Sequence, residues 1–131
     1  MSIGKIVILE GTSCVGKTTL CESLAAQGWI VLPEAIRYLE DETGKVGDEA
    51  SPIPGSQEEE KYYQDQLFRV EKAKLIKANK LRQEGENVVI DKSAIATVAT
   101  AKAFEVKKGF EGTFRRAYLK YIDLLQELKN R

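Results

Sequence analysis

Residues 11–18, GTSCVGKT, match the glycine-rich pattern GxxxxGK[ST], whose chemistry is the binding of phosphate groups. Glycines let such a loop turn its backbone amides inward, and the start of the following helix adds positive potential. The pattern predicts that Lys17 contacts the β and γ phosphates of a nucleoside triphosphate, ATP above all, and that the Thr18 hydroxyl binds Mg²⁺. The residues expected to contact the nucleotide are Gly11, Thr12, Ser13, Cys14, Val15, Gly16, Lys17, Thr18 and Thr19.

Asp91 is a second candidate for the same chemistry, because it directly follows the apolar run 88–90, VVI. Such a run predicts a buried strand, and Asp91 would then lie at its carboxyl end. Proteins with this phosphate-binding loop place a carboxylate there that holds Mg²⁺ directly or through water. We therefore expect Asp91 and Thr18 to bind the metal together. A turn or helix-capping aspartate is the alternative interpretation.

Composition and charge exclude several other classes of function. The chain has no histidine, and its two cysteines, Cys14 and Cys21, fit no metal-ligand spacing, so zinc sites and histidine-based triads lack their residues. Lys plus Arg and Asp plus Glu number 20 each, so no overall positive field draws the protein to nucleic acid or to an acidic membrane. The sequence shows neither a bilayer-spanning run nor a secretory signal, and we expect a cytoplasmic protein with no nucleic acid and no membrane as partner.

Apolar patterning predicts the elements that must position these residues, in an α/β fold of one domain. Three runs are typical of strands in a parallel sheet, at Ile3–Leu9, Trp29–Leu32 and Asn87–Ile90. Helical spacing predicts helices at Lys17–Gln27, Glu34–Glu40, Ser56–Glu84, Ser93–Ala103 and Phe114–Lys129. Residues 41–56 are expected to form a surface loop. The second strand delivers Glu34 at its carboxyl end, as the third delivers Asp91.

Three segments, in order along the chain, resemble the deoxynucleoside kinase and thymidylate kinase family of P-loop phosphotransferases. The first is ILEGTSCVGKTTL, in which Glu10 directly precedes the first glycine of the loop. The second is WIVLPEAIRYL, which is similar to the segment that carries a PE pair in that family. The third is IDKSAIATVATAKAF, where Lys92 stands in place of the usual Arg of a DRS or ERS segment. Lys offers a compact point charge where Arg grips an anion with two parallel hydrogen bonds.

The resemblance implies a three-layer P-loop fold whose parallel sheet has the core strand order 2-3-1. It implies that Glu34 is the general base facing the acceptor hydroxyl and that Lys92 acts on the acceptor side. The helix after the loop would contribute Gln and Arg side chains to a nucleobase pocket, which makes Gln64 and Arg69 candidates for substrate binding. The alternative for Glu34 is a solvated glutamate at the first turn of a helix. The alternative for Gln64 and Arg69 is a solvated polar helix face.

In that family the chain continues with a fourth strand, a lid that carries arginines, and a fifth strand with an adenine-binding loop. Residues 1–131 do not contain these segments. We therefore expect residues 1–131 to be a single kinase-like domain that is incomplete at its C-terminus. Strand one would then lack a neighbour on one side, so we expect either that the natural chain continues or that another element covers this edge, such as a second copy in a homo-oligomer or another strand of this chain.

The function that these residues favour is transfer of the γ-phosphoryl group of ATP, as its Mg²⁺ complex, to a nucleoside or nucleoside monophosphate. The catalytic candidates are Lys17, Glu34, Asp91 and Lys92. An ATPase or GTPase module is one alternative, although Lys92 stands after Asp91 where many such ATPases carry a glutamate. A non-catalytic nucleotide-binding module is another. Without phosphates we expect Lys17 to lie on the surface.

Overall fold

Parallel strands alternate with helices in the structure, as the apolar runs predict. The computed structural model describes residues 2–11, 16–46 and 54–130. The elements, in chain order, are β1 (Ile6–Leu9), α1 (Lys17–Ala26), β2 (Ile30–Leu32), α2 (Ala35–Thr43), α3 (Gln57–Gln83), β3 (Val88–Asp91), α4 (Ala94–Lys108) and α5 (Thr113–Lys129). None of the helices in these ranges is both long and apolar enough to cross a bilayer.

The described residues fall into two compact units. The sheet unit comprises Met1–Glu34 and Ala73–Ser93, and the helical unit comprises Ala35–Lys72 and Ala94–Arg131. All three strands and α1 belong to the sheet unit, whereas α2, α4 and α5 belong to the helical unit. The long helix α3 has residues in both. That residues 1–131 form a single domain stays a prediction.

In the sheet unit, β3 lies between β1 and β2, and both neighbours run parallel to it. Residues 88–90 are fully buried, as expected for an apolar strand that is covered on both faces. Read from one edge the order is 2-3-1, so the predicted α/β P-loop-type sheet is confirmed. Because Leu9 is in register with Asp91, the carboxyl ends of β1 and β3 lie together.

The core of the sheet unit packs the later part of α3 against the strands. Ala78 has no exposed surface, and its small side chain lets the helix come close to the sheet. The cluster consists of Leu32, Ala78, Val88 and Ile90, with Ile6, Ile30, Leu75 and Leu81 packed around it. Gly4 closes the unit, because its amide donates to the carbonyl of Arg82 at 2.8 Å. A Cβ at Gly4 would lie 1.7 Å from the backbone oxygen of Glu86.

The helical unit buries residues at helical spacing on α3, whereas on α5 it buries residues outside the regular apolar series. Leu67 and Val70 of α3 are buried with Ala35 and Leu39 of α2, and Tyr63 packs against them. In α5 the apolar residues Phe114, Tyr118, Tyr121, Leu125 and Leu128 recur at helical spacing. The residues that α5 buries are instead Thr113, Ala117 and Leu124, while Tyr118 and Leu125 are exposed.

Two helices are longer than the sequence predicts. Helix α2 continues to Thr43, whose hydroxyl donates to the carbonyl of Leu39. Gly44, with φ 71, directly follows this last residue. Helix α4 continues to Lys108 and ends at Gly109 with φ 68. In both cases a left-handed glycine marks the end, as at many helix C-termini. The predicted surface loop therefore begins after Thr43, and residues 47–53 of it lie outside the described residues.

Candidate functional site

Both glycines that frame the phosphate-binding pattern have the backbone conformation that the pattern requires. Gly11 has φ 129 and Gly16 has φ 85, values that residues with side chains rarely adopt. Gly16 is the N-cap of α1 and has no side chain with which to cap the first amides of the helix. These amides can therefore bind an anion. The predicted contacts of Thr12, Ser13, Cys14 and Val15 lie outside the described residues.

Lys17 begins α1 and is buried, contrary to the expectation that it lies on the surface. Its ammonium group donates to Asp91 Oδ1 at 3.0 Å and to Glu34 Oε1 at 3.3 Å. The two carboxylates hold the side chain inward, which is the physical reason for its burial. Thr18 and Thr19, on the same helical turn, are exposed.

Glu34 forms ion pairs with both Lys17 and Lys92, the fourth predicted catalytic residue. Its Oε1 lies 3.2 Å from Lys92 Nζ as well as 3.3 Å from Lys17 Nζ. The side chains of Asp91, Lys17, Glu34 and Lys92 thus form a chain of charged groups that alternate in sign, which we call the charge chain. The structure brings together all four residues that the sequence proposes for catalysis.

Burial and ion pairing act in opposite directions on the two central groups of the charge chain. Burial by itself raises the pKa of the Glu34 carboxyl, but the hydrogen bonds and charges of Lys92 and Lys17 outweigh it, so the pKa is lowered from 4.5. Burial likewise lowers the pKa of Lys17, but Asp91 and Glu34 outweigh it, so the pKa is raised from 10.5. Both groups are therefore charged at neutral pH.

Asp91 is the last residue of β3, and Lys92 lies in the turn that connects β3 to α4. Both contribute side chains to the charge chain. The Ser93 amide donates to Glu10 Oε1 at 2.9 Å, and the Ser93 hydroxyl donates to the same oxygen. The Lys74 ammonium, on α3, donates to the backbone carbonyls of Asp91 and Lys92 at 3.3 and 3.0 Å. No motif in the sequence indicates Lys74, although its position four residues after Val70 and four before Ala78 places it in a buried helical stripe.

Gln64 and Arg69 belong to the helical unit, and the structure places them in different surroundings. Gln64 is buried, and its amide nitrogen donates to Glu60 and to the carbonyl of Thr113. Arg69 is exposed and binds both carboxylate oxygens of Glu42, at 3.1 and 2.8 Å. A solvated polar face therefore describes Arg69 and does not describe Gln64. Their role in substrate binding stays a prediction.

A cavity of about 670 Å³ lies within the helical unit. Its volume falls in the range of small-molecule sites. Aromatic, aliphatic and acidic side chains line it, from α2, the start of α3 and the segment before α3: Leu39, Glu42, Thr43, Pro54, Glu58, Glu59, Tyr62, Tyr63 and Gln66. Two of these, Glu42 and Gln66, are the partners of Arg69.

The residues of the sheet unit fit a triphosphate with Mg²⁺. Within the described ranges no group of three or more His, Cys, Asp or Glu side chains is arranged to hold a metal ion. Mg²⁺ in phosphate-binding sites needs no such group, because it takes most of its ligands from phosphates and water. Asp91, with Thr18 one residue after Lys17, would supply the protein ligands.

Comparison with known proteins identifies the family. No curated protein and no solved structure matches the chain. A family model described as an AAA domain matches residues 6–125, a range that includes both framing glycines, the charge chain and Lys74. This match supports a P-loop nucleotide-binding domain and does not single out the kinase family. Because this match covers most of the chain, the chain belongs to the AAA domain family, a family of the P-loop NTPase type.

Proposed function

We propose that this protein transfers the γ-phosphoryl group of ATP to a nucleoside or nucleoside monophosphate. The observation that carries the proposal is the 3.3 Å hydrogen bond between Lys17 Nζ and Glu34 Oε1. Lys17 is the residue that the glycine-rich pattern assigns to the β and γ phosphates. Glu34 therefore lies one side chain away from the place where a γ-phosphoryl group would bind.

On the donor side, the amides at the start of α1 and the Lys17 ammonium would bind the phosphates. Asp91 Oδ1 lies 3.0 Å from the same ammonium, so Asp91 and Thr18 would hold Mg²⁺ beside the phosphates. When bound, Mg²⁺ neutralises charge on the β and γ oxygens. Positioning and charge neutralisation are the main catalytic contributions in phosphoryl transfer, and these residues would make both contributions on the donor side.

On the acceptor side, the charge chain changes when a triphosphate binds. Phosphate oxygens compete with Glu34 and Asp91 for Lys17, while Lys92 remains a partner for Glu34. Loss of a positive partner and arrival of negative phosphates both raise the pKa of a carboxyl group. The Glu34 carboxylate therefore becomes a better proton acceptor when the donor is bound, as a general base for a hydroxyl acceptor needs to be.

Hydrolysis of the nucleotide is the second candidate function. The sequence argues against it, because Lys92 follows Asp91 where many ATPases carry a glutamate. Another segment supplies a carboxylate, since Glu34 lies between β2 and α2 and is hydrogen-bonded to Lys17. A carboxylate in this place can orient a water molecule as well as an acceptor hydroxyl, and the AAA domain match favours an NTPase.

One experiment separates these functions and the binding module without catalysis. ATP with Mg²⁺ is incubated with the protein, alone and with each member of a panel of nucleosides and nucleoside monophosphates, and ADP, free phosphate and phosphorylated acceptor are quantified. ADP that appears together with a phosphorylated acceptor supports the transfer proposal. Free phosphate that is independent of the acceptor supports hydrolysis. ATP binding without either product would leave only the binding module.

A further inference from the structure

The turn after β3 contains a strained backbone conformation. Lys92 has φ 61, and among the described residues it is the one residue other than glycine with a positive φ. A residue with a side chain rarely adopts this conformation, and it persists only where the surrounding structure holds it. The contacts around Lys92 must therefore supply that hold.

The strained turn lets two consecutive residues reach the same charge chain. In a strand that simply continued, the side chains of Asp91 and Lys92 would point to opposite faces. Here Asp91 Oδ1 lies 3.0 Å from Lys17 Nζ, and Lys92 Nζ lies 3.2 Å from Glu34 Oε1. Since Lys17 and Glu34 are themselves in contact, the turn directs both side chains into one cluster.

Backbone groups of the turn are held from two sides. On the side of β1, the Lys92 amide donates to the Leu9 carbonyl at 2.9 Å, and the Ser93 amide donates to Glu10 Oε1 at 2.9 Å. On the side of α3, the Lys74 ammonium donates to the carbonyls of Lys92 and Asp91. An ammonium group has three donors and no acceptor, so it can hold two neighbouring carbonyls at once. Lys74 is only 2% exposed, which keeps water from competing for them.

We propose that Lys74 and Glu10 are positioning residues that hold the turn, so that Asp91 faces the phosphate side of Lys17 and Lys92 faces Glu34. Neither side chain needs to touch the nucleotide or the acceptor, because both act through the backbone of the turn. The effect of the turn on the nucleotide and the acceptor rests on the proposed function, whereas the hydrogen bonds that fix the turn do not.

Hydrogen exchange of single amides, measured by NMR, tests the hold directly. Lys74→Met keeps the length of the side chain and removes the ammonium, and Glu10→Ala removes the acceptor for Ser93 at an exposed position. We expect the Lys92 and Ser93 amides to exchange about tenfold faster or more in each variant, as for the loss of one hydrogen bond. The Val88 amide, bonded to the Lys5 carbonyl, should keep its protection. Lys77→Met, on the exposed face of α3, is the control and should leave all three amides unchanged.

A binding measurement tests the consequence for the site without requiring turnover. ATP affinity is measured by calorimetry with Mg²⁺ and with EDTA, and the ratio of the two affinities reports the metal site that includes Asp91. We expect Lys74→Met to lower this ratio about tenfold and Lys74→Arg to restore most of it, because Arg can still donate to both carbonyls. If Lys74→Met does not fold, Glu10→Ala serves for both measurements. Unchanged amide exchange and an unchanged ratio in a folded variant would overturn the proposal, and both results stand even if the protein transfers no phosphate.

Discussion

At the scale of single residues, Lys17 makes buried ion pairs that a pattern match does not reveal. The pattern assigns it to phosphates, but in the structure it is also the buried partner of Asp91 and Glu34. From the phosphate-binding pattern, the end of an apolar strand and the family resemblance, the sequence proposed the four residues of the charge chain as catalytic candidates, but it did not predict the ion pairs between them. It could not predict the burial of Lys17, which depends on side-chain contacts between residues far apart in sequence.

Lys17→Ala should therefore affect binding and stability together. We expect ATP affinity to fall by at least about a hundredfold, as for loss of a charged group that contacts the phosphates. Removal of one partner from a buried ion pair leaves Asp91 and Glu34 close together, and we expect stability to fall by about 1–3 kcal/mol. Calorimetry and urea unfolding measure the two effects, with the exposed Lys80→Ala as control. Unchanged ATP affinity would contradict the donor-site assignment.

Glu34→Gln should separate turnover from binding. If the acceptor is a hydroxyl, loss of the general base lowers turnover by roughly 10²- to 10⁴-fold. ATP affinity should stay the same or rise, because one carboxylate that competes with phosphate for Lys17 has lost its charge. Steady-state kinetics and calorimetry measure these quantities, with the exposed Glu22→Gln on α1 as control. A near-normal rate would point to a monophosphate acceptor, which is already ionised and needs no base.

The pKa of Glu34 predicts how stability depends on pH. Because its pKa is lower in the folded protein than the ordinary 4.5, its ion pairs stabilise the fold above that pH, and the stabilisation is lost as pH falls through the folded pKa. The pKa of Lys17 is raised from 10.5, so its contribution is present below that value and is lost as pH rises through the folded pKa. Thermal unfolding of the wild type and of Glu34→Gln should therefore differ at neutral pH and converge in acid. A difference in Tm that is constant from neutral to acid pH would disprove this account.

At the scale of elements, patterns of apolar residues predicted all three strands, and most clearly β3, which is parallel to both neighbours and buried. Residues 88–90 are buried, and an uninterrupted apolar run is typical of a strand that is covered on both faces. The ends of α2 and α4 were less predictable. Gly44 and Gly109 end them, yet a glycine in the sequence does not by itself show that it adopts a left-handed conformation. In α5 the apolar stripe predicted the helix and not its buried face.

Two glycines of the sheet unit should respond differently to the same substitution. Gly4→Ala places a Cβ at 1.7 Å from the Glu86 oxygen, so β1 or the chain before β3 must shift, and we expect a loss of more than about 3 kcal/mol. Gly28→Ala meets nothing within 4 Å, but its φ of 94 disfavours alanine, and we expect about 1 kcal/mol. Urea unfolding of both variants measures the difference. Equal losses would show that the backbone at Gly4 is not tightly packed.

At the scale of the whole molecule, sequence predicted the strand order and not the division into two compact units. The order followed from the resemblance of three segments to a known fold. The division depends on which distant residues lie near one another, as in the assignment of separate parts of α3 to the two units. The buried Lys74 is missed for a similar reason, because its acceptors are backbone carbonyls that no pattern of side chains reveals.

The edge of the sheet at β1 predicts self-association. Within the described residues β1 pairs with β3 alone, and Ile8 on this strand is 46% exposed. Unpaired apolar edge strands favour association, and a lysine on the edge opposes it. We therefore expect the mass from light scattering after size exclusion to rise with protein concentration, and Ile8→Lys to reduce the rise. Ile3→Lys, exposed and outside the strand, is the control. A monomer at every concentration would contradict the homo-oligomer.

The charge chain also determines how a nucleotide reaches the site. Its two ammonium groups and two carboxylates cancel, so the field of the four groups falls off faster with distance than that of a lone lysine. A diffusing triphosphate gains little attraction from these groups until it touches the amides of α1 and displaces the carboxylates from Lys17. These four groups should therefore add little to the rate of nucleotide capture or to its dependence on ionic strength. Since the attraction of Lys17 acts mainly after contact, we expect substitutions in the charge chain to change the dissociation rate more than the association rate.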